Sequence, residues 1–234
     1  VDKTGKLKVH TTKTASAVIT ASYGPVVQSV TVTVADGRFW YSLGNGLGNG
    51  LDNNWYLDGN NASVVSSDGN KTTVQMGSGY RGDLWLARSG KGKIVNVTPA
   101  DYRYFAIKLG FKSQLVPGKN KPNGCIKLEI FDDGIKKIGP EYFGTGGDAN
   151  NRYEILGASE ISTTEPNVLY YDLQSKYKTV TPTDWNQVFD LVQCKFVIAD
   201  FPETAQTYDL YWIRSFKSIE ELQAFVDSEN NTNE

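Results

Sequence analysis

The chain has 234 residues, with 24 basic and 26 acidic side chains and a formal charge of −2, which gives no electrostatic footing for nucleic acid or an anionic membrane. Its single histidine, His10, all but excludes Ser-His-Asp, Cys-His and histidine–zinc chemistry. A chain this long can bury roughly 70% of its unfolded surface without disulfide staples.

Residues 1–36 form a first segment. Leu7–Val9, Ala17–Ser22 and Val26–Val34 read as short strands, the last two joined by a turn at Tyr23-Gly24-Pro25. Val30, Val32 and Val34 alternate with Thr31 and Thr33. This segment resembles the closing strands of an immunoglobulin-like domain of the polycystic-kidney-disease type, and is too short to be a whole one. Asp36-Gly37 marks the expected boundary, with one large domain over residues 37–234.

The large domain opens on a loop. Leu43-Gly44-Asn45-Gly46 repeats as Leu47-Gly48-Asn49-Gly50, and Asp52-Asn53-Asn54-Trp55 follows. Glycine and asparagine at this density hold neither a helix nor an interior strand, so residues 43–62 are expected to be irregular. Asp52, Asn53, Asn54 and Asp58 offer oxygens to a structural calcium, without the spacing of an EF-hand; no other cofactor is implied.

From residue 63 the pattern is strands, at 63–66, 72–76, 83–88, 93–97, 103–111, 125–131, 153–156, 167–173, 191–199 and 208–216. Glycine, proline and asparagine separate them. Two helical pieces are expected, a turn near Thr183–Asp190 and a terminal helix over 218–228. Ser218-Ile219-Glu220-Glu221 is a capping box, and Ile219, Leu222, Phe225 and Val226 follow at helical spacing. The fold class is therefore all-β, a jelly-roll antiparallel sandwich with a short C-terminal helix. Cys125 and Cys194 each lie in an apolar strand candidate and read as buried thiols, a bridge between neighbouring strands being the alternative.

Period-2 alternation sorts the strands into faces. Leu84 and Leu86 take the core parity, leaving Arg81, Asp83 and Trp85 outward. Phe105, Ile107, Leu109 and Phe111 point in, with Tyr104 and Lys108 out. Ile126, Leu128 and Ile130 point in, with Lys127 and Glu129 out. Leu169, Tyr171 and Leu173 point in, with Tyr170 and Asp172 out. Leu210, Trp212 and Phe216 share one parity, Tyr211 and Ile213 the other. Trp212 and Phe216 read as core, and Arg214 as a partner for a carboxylate or carbonyl.

The outward set, Trp85, Tyr104 and Tyr170 among Arg81, Asp83, Lys108, Lys127 and Glu129, is the mixture that recognises sugars. A pyranose stacks its C–H face on an aromatic ring, and planar polar groups bind its hydroxyls. Trp55 and Trp185, on loops, serve either as further platforms or as caps on the sandwich. The candidate carbohydrate-binding residues are thus Trp85, Arg81, Asp83, Tyr104, Tyr170, Trp55 and Trp185, with no catalytic residue and no metal ligand. Three motifs are set aside: the Arg81-Gly82-Asp83 tripeptide, the loop Gly144–Asp148, and Asp132-Asp133-Gly134, which reads as a hairpin turn. Glu129 with Asp172 is the carboxylate pair a glycoside hydrolase would use.

Three segments together carry a family resemblance: Gly79-Tyr80-Arg81-Gly82-Asp83, Lys195-Phe196-Val197-Ile198-Ala199-Asp200, and Tyr211-Trp212-Ile213-Arg214-Ser215-Phe216-Lys217-Ser218. Over residues 38–228 the chain resembles a domain family of exported, often lipid-anchored Bacteroidetes proteins ending in a Trp-Ile-Arg-x-Phe-Lys-Ser signature. The resemblance implies a galactose-binding-like jelly roll akin to carbohydrate-binding modules, at the outer membrane, cell surface or periplasm. It implies a polysaccharide or oligosaccharide partner, and other outer-membrane glycan-uptake proteins as neighbours. It supplies no catalytic residues. A structural or protein-interaction domain is the competing expectation, and a glycoside hydrolase the third. No stretch reaches the roughly 20 apolar residues of a transmembrane segment.

Overall fold

A computed structural model describes residues 15–34, 38–48, 55–57, 62–76, 81–88, 91–92, 95–97, 101–112, 126–132, 153–173, 189–199 and 207–231. Strands β1 (Ala15–Tyr23) and β2 (Val26–Val34) form a ribbon of their own, in register from Ala15↔Val34 to Tyr23↔Val26. Gly24 takes φ 57° at the turn, a conformation glycine reaches without steric cost. Ala17, Ile19, Ala21, Tyr23, Val26, Gln28, Val30 and Val32 share one face of the ribbon, and Val18, Thr20, Ser22, Val27, Ser29 and Thr31 the other. The ribbon is exposed, Tyr23 by 90% and Val30 by 58%. The strand expected at Leu7–Val9 lies outside the described residues.

The remaining strands are β3 (Trp40–Ser42), β4 (Tyr56–Leu57), β5 (Ala62–Ser67), β6 (Thr72–Met76), β7 (Arg81–Arg88), β8 (Lys91–Gly92) and β9 (Val95–Val97). They continue with β10 (Tyr104–Phe111), β11 (Ile126–Asp132), β12 (Glu154–Ile155), β13 (Asn167–Asp172), β14 (Phe189–Ala199) and β15 (Thr207–Phe216), and the helix α1 (Ile219–Asn231) closes the chain. Among the described residues one sheet runs β12-β13-β10-β15-β6-β5, with β3 also on β15. The other runs β11-β14-β7-β4, with β8 on β7 and β9 on β14. All described pairings are antiparallel. The all-β sandwich with a C-terminal helix that strand spacing predicts is what the chain forms.

Residues of the two sheets meet in one core. Phe105, Ile107, Leu109, Leu169, Tyr171 and Ile213 come from the first sheet, and Leu84, Leu86, Ile126, Leu128 and Phe196 from the second. The inward faces expected for β7, β10, β11 and β13 are those observed wherever their side chains are described. Tyr171 keeps its phenol satisfied by donating to the Ile126 carbonyl at 3.1 Å, which ties the sheets together through the core. Cys194 is a free, fully buried thiol that burial pushes up in pKa; Cys125 lies outside the described residues.

Three local expectations are corrected. Leu210 and Trp212 do not share a face, because β15 carries a bulge: Lys108 faces Trp212 and Leu109 faces Leu210, leaving Tyr211 unopposed. Leu210 and Ile213 therefore enter the main core, while Trp212 and Phe216 turn to the opposite face. The Leu43 amide takes the Tyr211 carbonyl at 2.9 Å, so the bulge leaves that acceptor satisfied. Second, the loop of residues 43–62 contains β4, which pairs Tyr56 with Trp85. Third, Phe189 and Asp190 open β14 rather than closing a helical turn; the rest of that expected turn lies outside the described residues.

The chain ends as the capping box predicts, with one variation. The Glu221 amide donates to Ser218 Oγ at 3.2 Å, while the Glu221 carboxylate reaches past the cap to the Lys217 amide at 2.7 Å. Phe39 anchors the other end of the domain: its amide donates to Ser215 Oγ at 2.8 Å, and its carbonyl accepts from the Ser215 amide at 2.9 Å.

Candidate functional site

Register alone arranges the outward face of the first sheet as a grid. Asp172, Tyr104 and Phe216 form one row across β13, β10 and β15. Glu154, Tyr170, Ala106, Arg214 and Trp40 form the next, from β12 to β3. Val168, Lys108, Trp212 and Ser42 form the third.

Helix α1 covers the β15 side of this grid. Leu222 packs with Trp212 and Phe216, and Phe225 meets Trp40, Trp212 and Phe216 at ring separations of 5.3, 5.5 and 5.6 Å. Glu229 accepts from Lys108 Nζ and Trp212 Nε1, both at 3.1 Å, and stands 3.7 Å from Arg214. The Arg214 guanidinium lies 4.3 Å from the Trp40 and Phe225 ring centres. Burial pulls Arg214 below its ordinary pKa, and Glu229 opposes that pull. The carboxylate partner expected for Arg214 is thus found on the helix, which Trp212, Arg214 and Phe216 hold to the sheet.

Tyr104 and Tyr170 stand toward β12, both half-buried, edge to face at 6.2 Å with an interplanar angle of 74°. Arg103 lies 5.2 Å from the Tyr104 ring and grips Asp172 with two bonds of 2.6 Å, Nε to Oδ1 and Nη2 to Oδ2. The Asp172 bonds hold the Arg103 guanidinium above its ordinary pKa. Burial raises the Tyr170 phenol, and Glu154, Tyr104 and Asp172 raise it further. Both rings are partly buried against the Trp212–Phe216 cluster, and what remains of their surfaces, with the planar ion pair beside them, can stack a sugar and hydrogen-bond its hydroxyls.

The other expected residues do not join this patch. Trp55 is fully buried in the main core, 6.0 Å from Tyr41 and 5.8 Å from Phe196, so it is no surface platform. Trp85 does leave the core face, but it belongs to the other sheet, and it is only 5% exposed beneath Lys195, whose Nζ sits 4.4 Å from the ring. The tyrosines and Trp85 therefore lie on opposite outer faces and cannot grip one ligand together. Arg81 and Asp83 are on β7 opposite Ala199 and Val197, with their side chains outside the described residues. Trp185 lies outside them entirely, as do Asp52, Asn53, Asn54 and Asp58. No group of three or more metal-binding side chains occurs among the described residues. Glu129 and Asp172, the hydrolase pair, lie on different sheets, and Asp172 is held by Arg103.

Sequence reasoning missed Arg103, Glu154 and Trp40. Arg103 and Glu154 reveal themselves only through their neighbours, since Tyr104 opposes Asp172 and Tyr170 opposes Glu154. Trp40, 42% exposed, was legible as the outward member of Phe39-Trp40-Tyr41.

The fold bears a loose likeness to a solved structure described as the structural basis for the promiscuous specificity of carbohydrate-binding modules from the β-sandwich superfamily. The match has a TM-score of 0.38 at 12% identity, covering 87% of this chain and 74% of that one. That superposition is too loose to compare binding residues. No curated protein matches the sequence significantly. Residues 46–222 match the model of a domain of unknown function, DUF4979, and the chain belongs to that family.

Proposed function

We propose that this domain is a non-catalytic carbohydrate-binding module of an exported Bacteroidetes surface or periplasmic protein, holding a polysaccharide or oligosaccharide for glycan capture. The observation that carries the reading is the Tyr104–Tyr170 pair set beside the Arg103–Asp172 fork on one outward face. Aromatic planes give a sugar ring apolar contact, and a pre-ordered ion pair gives its hydroxyls donors and acceptors at little entropic cost. Residues 37–234 are the binding domain, and residues 1–36 a separate β segment in this reading. Affinity gels and calorimetry with a panel of soluble polysaccharides test it. The expected result is binding to at least one polymer that Tyr104→Ala and Tyr170→Ala each weaken. Failure of every polymer to bind the folded domain overturns it.

A second reading, a protein-interaction or structural domain in a surface complex, is favoured by the β1–β2 ribbon. Both of its faces expose valines, Val26 at 57% and Val30 at 58% on one and Val18 at 67% and Val27 at 58% on the other, and ribbons of two strands are marginal unless something covers them. Pull-down of a partner protein by the whole chain, with no response to glycans, would favour it.

A further inference from the structure

The tyrosine patch is not neutral. Arg103 is its cation, and both inner faces of the guanidinium fork are spent on Asp172 at 2.6 Å. Glu154 stands exposed on β12 directly across from Tyr170. Asp172 grips the Arg103 guanidinium, and Glu154 adds a second carboxylate beside Tyr170. Of the other described cations, Lys108 and Arg214 share Glu229 at 3.1 and 3.7 Å, Lys71 and Lys112 share Asp209 at 2.8 and 3.2 Å, Arg38 stands 3.7 Å from Glu221, and Lys217 lies over the Tyr102 ring at 5.4 Å. The rise in the Tyr170 phenol pKa, to which Glu154 and Asp172 contribute after burial, reports the same negative field.

A uronate or sulfate ester brought to Tyr104 and Tyr170 would therefore meet Glu154 and Asp172, with the Arg103 guanidinium already gripped by Asp172. A bidentate arginine is the group that binds such anions well, and here Asp172 already fills that role. We infer that the patch selects uncharged glycan chains over uronate-containing or sulfated ones, with Asp172 and Glu154 as the residues that set the selectivity. This rests on the carbohydrate-binding reading and narrows its substrate class. Asp172 excludes anions by occupying Arg103; Glu154 excludes them by repulsion across an exposed surface. Repulsion of that kind amounts to roughly fivefold in affinity and weakens with salt.

The test titrates the whole chain with galactomannan, xyloglucan and laminarin as uncharged probes, and with polygalacturonate, alginate and chondroitin sulfate as anionic ones, at low ionic strength. At least one uncharged polymer is expected to bind, with every anionic polymer roughly fivefold weaker or worse. Glu154→Gln, an exposed change that leaves the core untouched, is expected to narrow the gap. Asp172→Asn is expected to narrow it further by freeing Arg103. Anionic polymers binding as tightly as the best uncharged one would overturn the selectivity while leaving carbohydrate binding standing. An unchanged preference in Glu154→Gln would remove Glu154 from it. Binding of no polymer of either class would overturn the carbohydrate reading, and this inference with it.

Discussion

Trp212 on β15 donates its indole N–H to Glu229 on α1 at 3.1 Å, across 17 residues of chain. The same carboxylate accepts from Lys108 and stands beside Arg214, so a single side chain fastens the helix to two strands. Glu229→Ala leaves two partly buried cations and an indole N–H without this acceptor. Removing such an acceptor costs on the order of 1–3 kcal/mol. The loss is expected as a lower urea midpoint, with faster amide exchange over 219–231 than over β10. A midpoint equal to wild type would mean that Phe225 and Leu222 hold the helix unaided.

Asp209 predicts the acid limit of the fold. Burial alone would raise its carboxyl, but bonds from Lys71, Thr73 and Lys112 at 2.8, 2.7 and 3.2 Å outweigh burial and hold it below the ordinary aspartate value. A carboxylate depressed in the folded state stabilises fully above its unfolded pKa of about 3.9, and that stability is lost as pH falls through the lower folded value. Stability should therefore drop below about pH 4. Asp209→Asn should be weaker at neutral pH and show a shallower acid loss, read as urea midpoints across the acid range.

Tyr41 predicts the alkaline limit. Burial first, and Cys194 second, push its phenol up to about 12. The unfolded chain ionises tyrosine at about 10, so between that pH and about 12 the unfolded state holds fewer protons than the folded one. Stability must then fall as pH rises through this window, by roughly 3 kcal/mol from this residue. Tyr41→Phe should flatten the alkaline side of the profile. An ultraviolet titration showing Tyr41 ionised at its ordinary pKa in the folded protein would contradict the burial that the core assigns to it.

Which parts of this were legible in the sequence follows from the range of the forces involved. The alternation in Tyr104–Phe111 and Asn167–Leu173 comes from one sheet face meeting a core, so period 2 alone revealed it. The bulge at Tyr211 answers to a partner, because the Leu43 amide waits for its carbonyl, and nothing within 207–216 announces that. Trp55 read as a loop tryptophan, a platform or a cap, because glycine and asparagine surround it, whereas the two-residue β4 draws it fully inside. The Arg103–Asp172 fork spans 69 residues and exists only once β10 and β13 are in register. Outwardness was legible, but company was not: Trp85 and the tyrosines have the same outward parity on different sheets.

The tyrosine pair gives the sharpest binding prediction, because ring and hydroxyl can be separated. If the rings supply stacking surface, Tyr104→Ala and Tyr170→Ala should each weaken the best-binding polymer by roughly tenfold, the scale of a buried aromatic contact at an interface. Phenylalanine at either position keeps the plane and loses one hydrogen bond, of about 0.5–1.5 kcal/mol, so those variants should retain most of the affinity. Trp55→Phe and Trp85→Phe alter rings that are buried away from this face and should leave affinity at the wild-type level, although Trp55→Phe should lower the thermal midpoint. Calorimetry on variants whose circular dichroism matches the parent distinguishes these cases. Alanine variants that bind as the parent does, or a Trp85 variant that alone loses binding, would move the ligand to the other sheet.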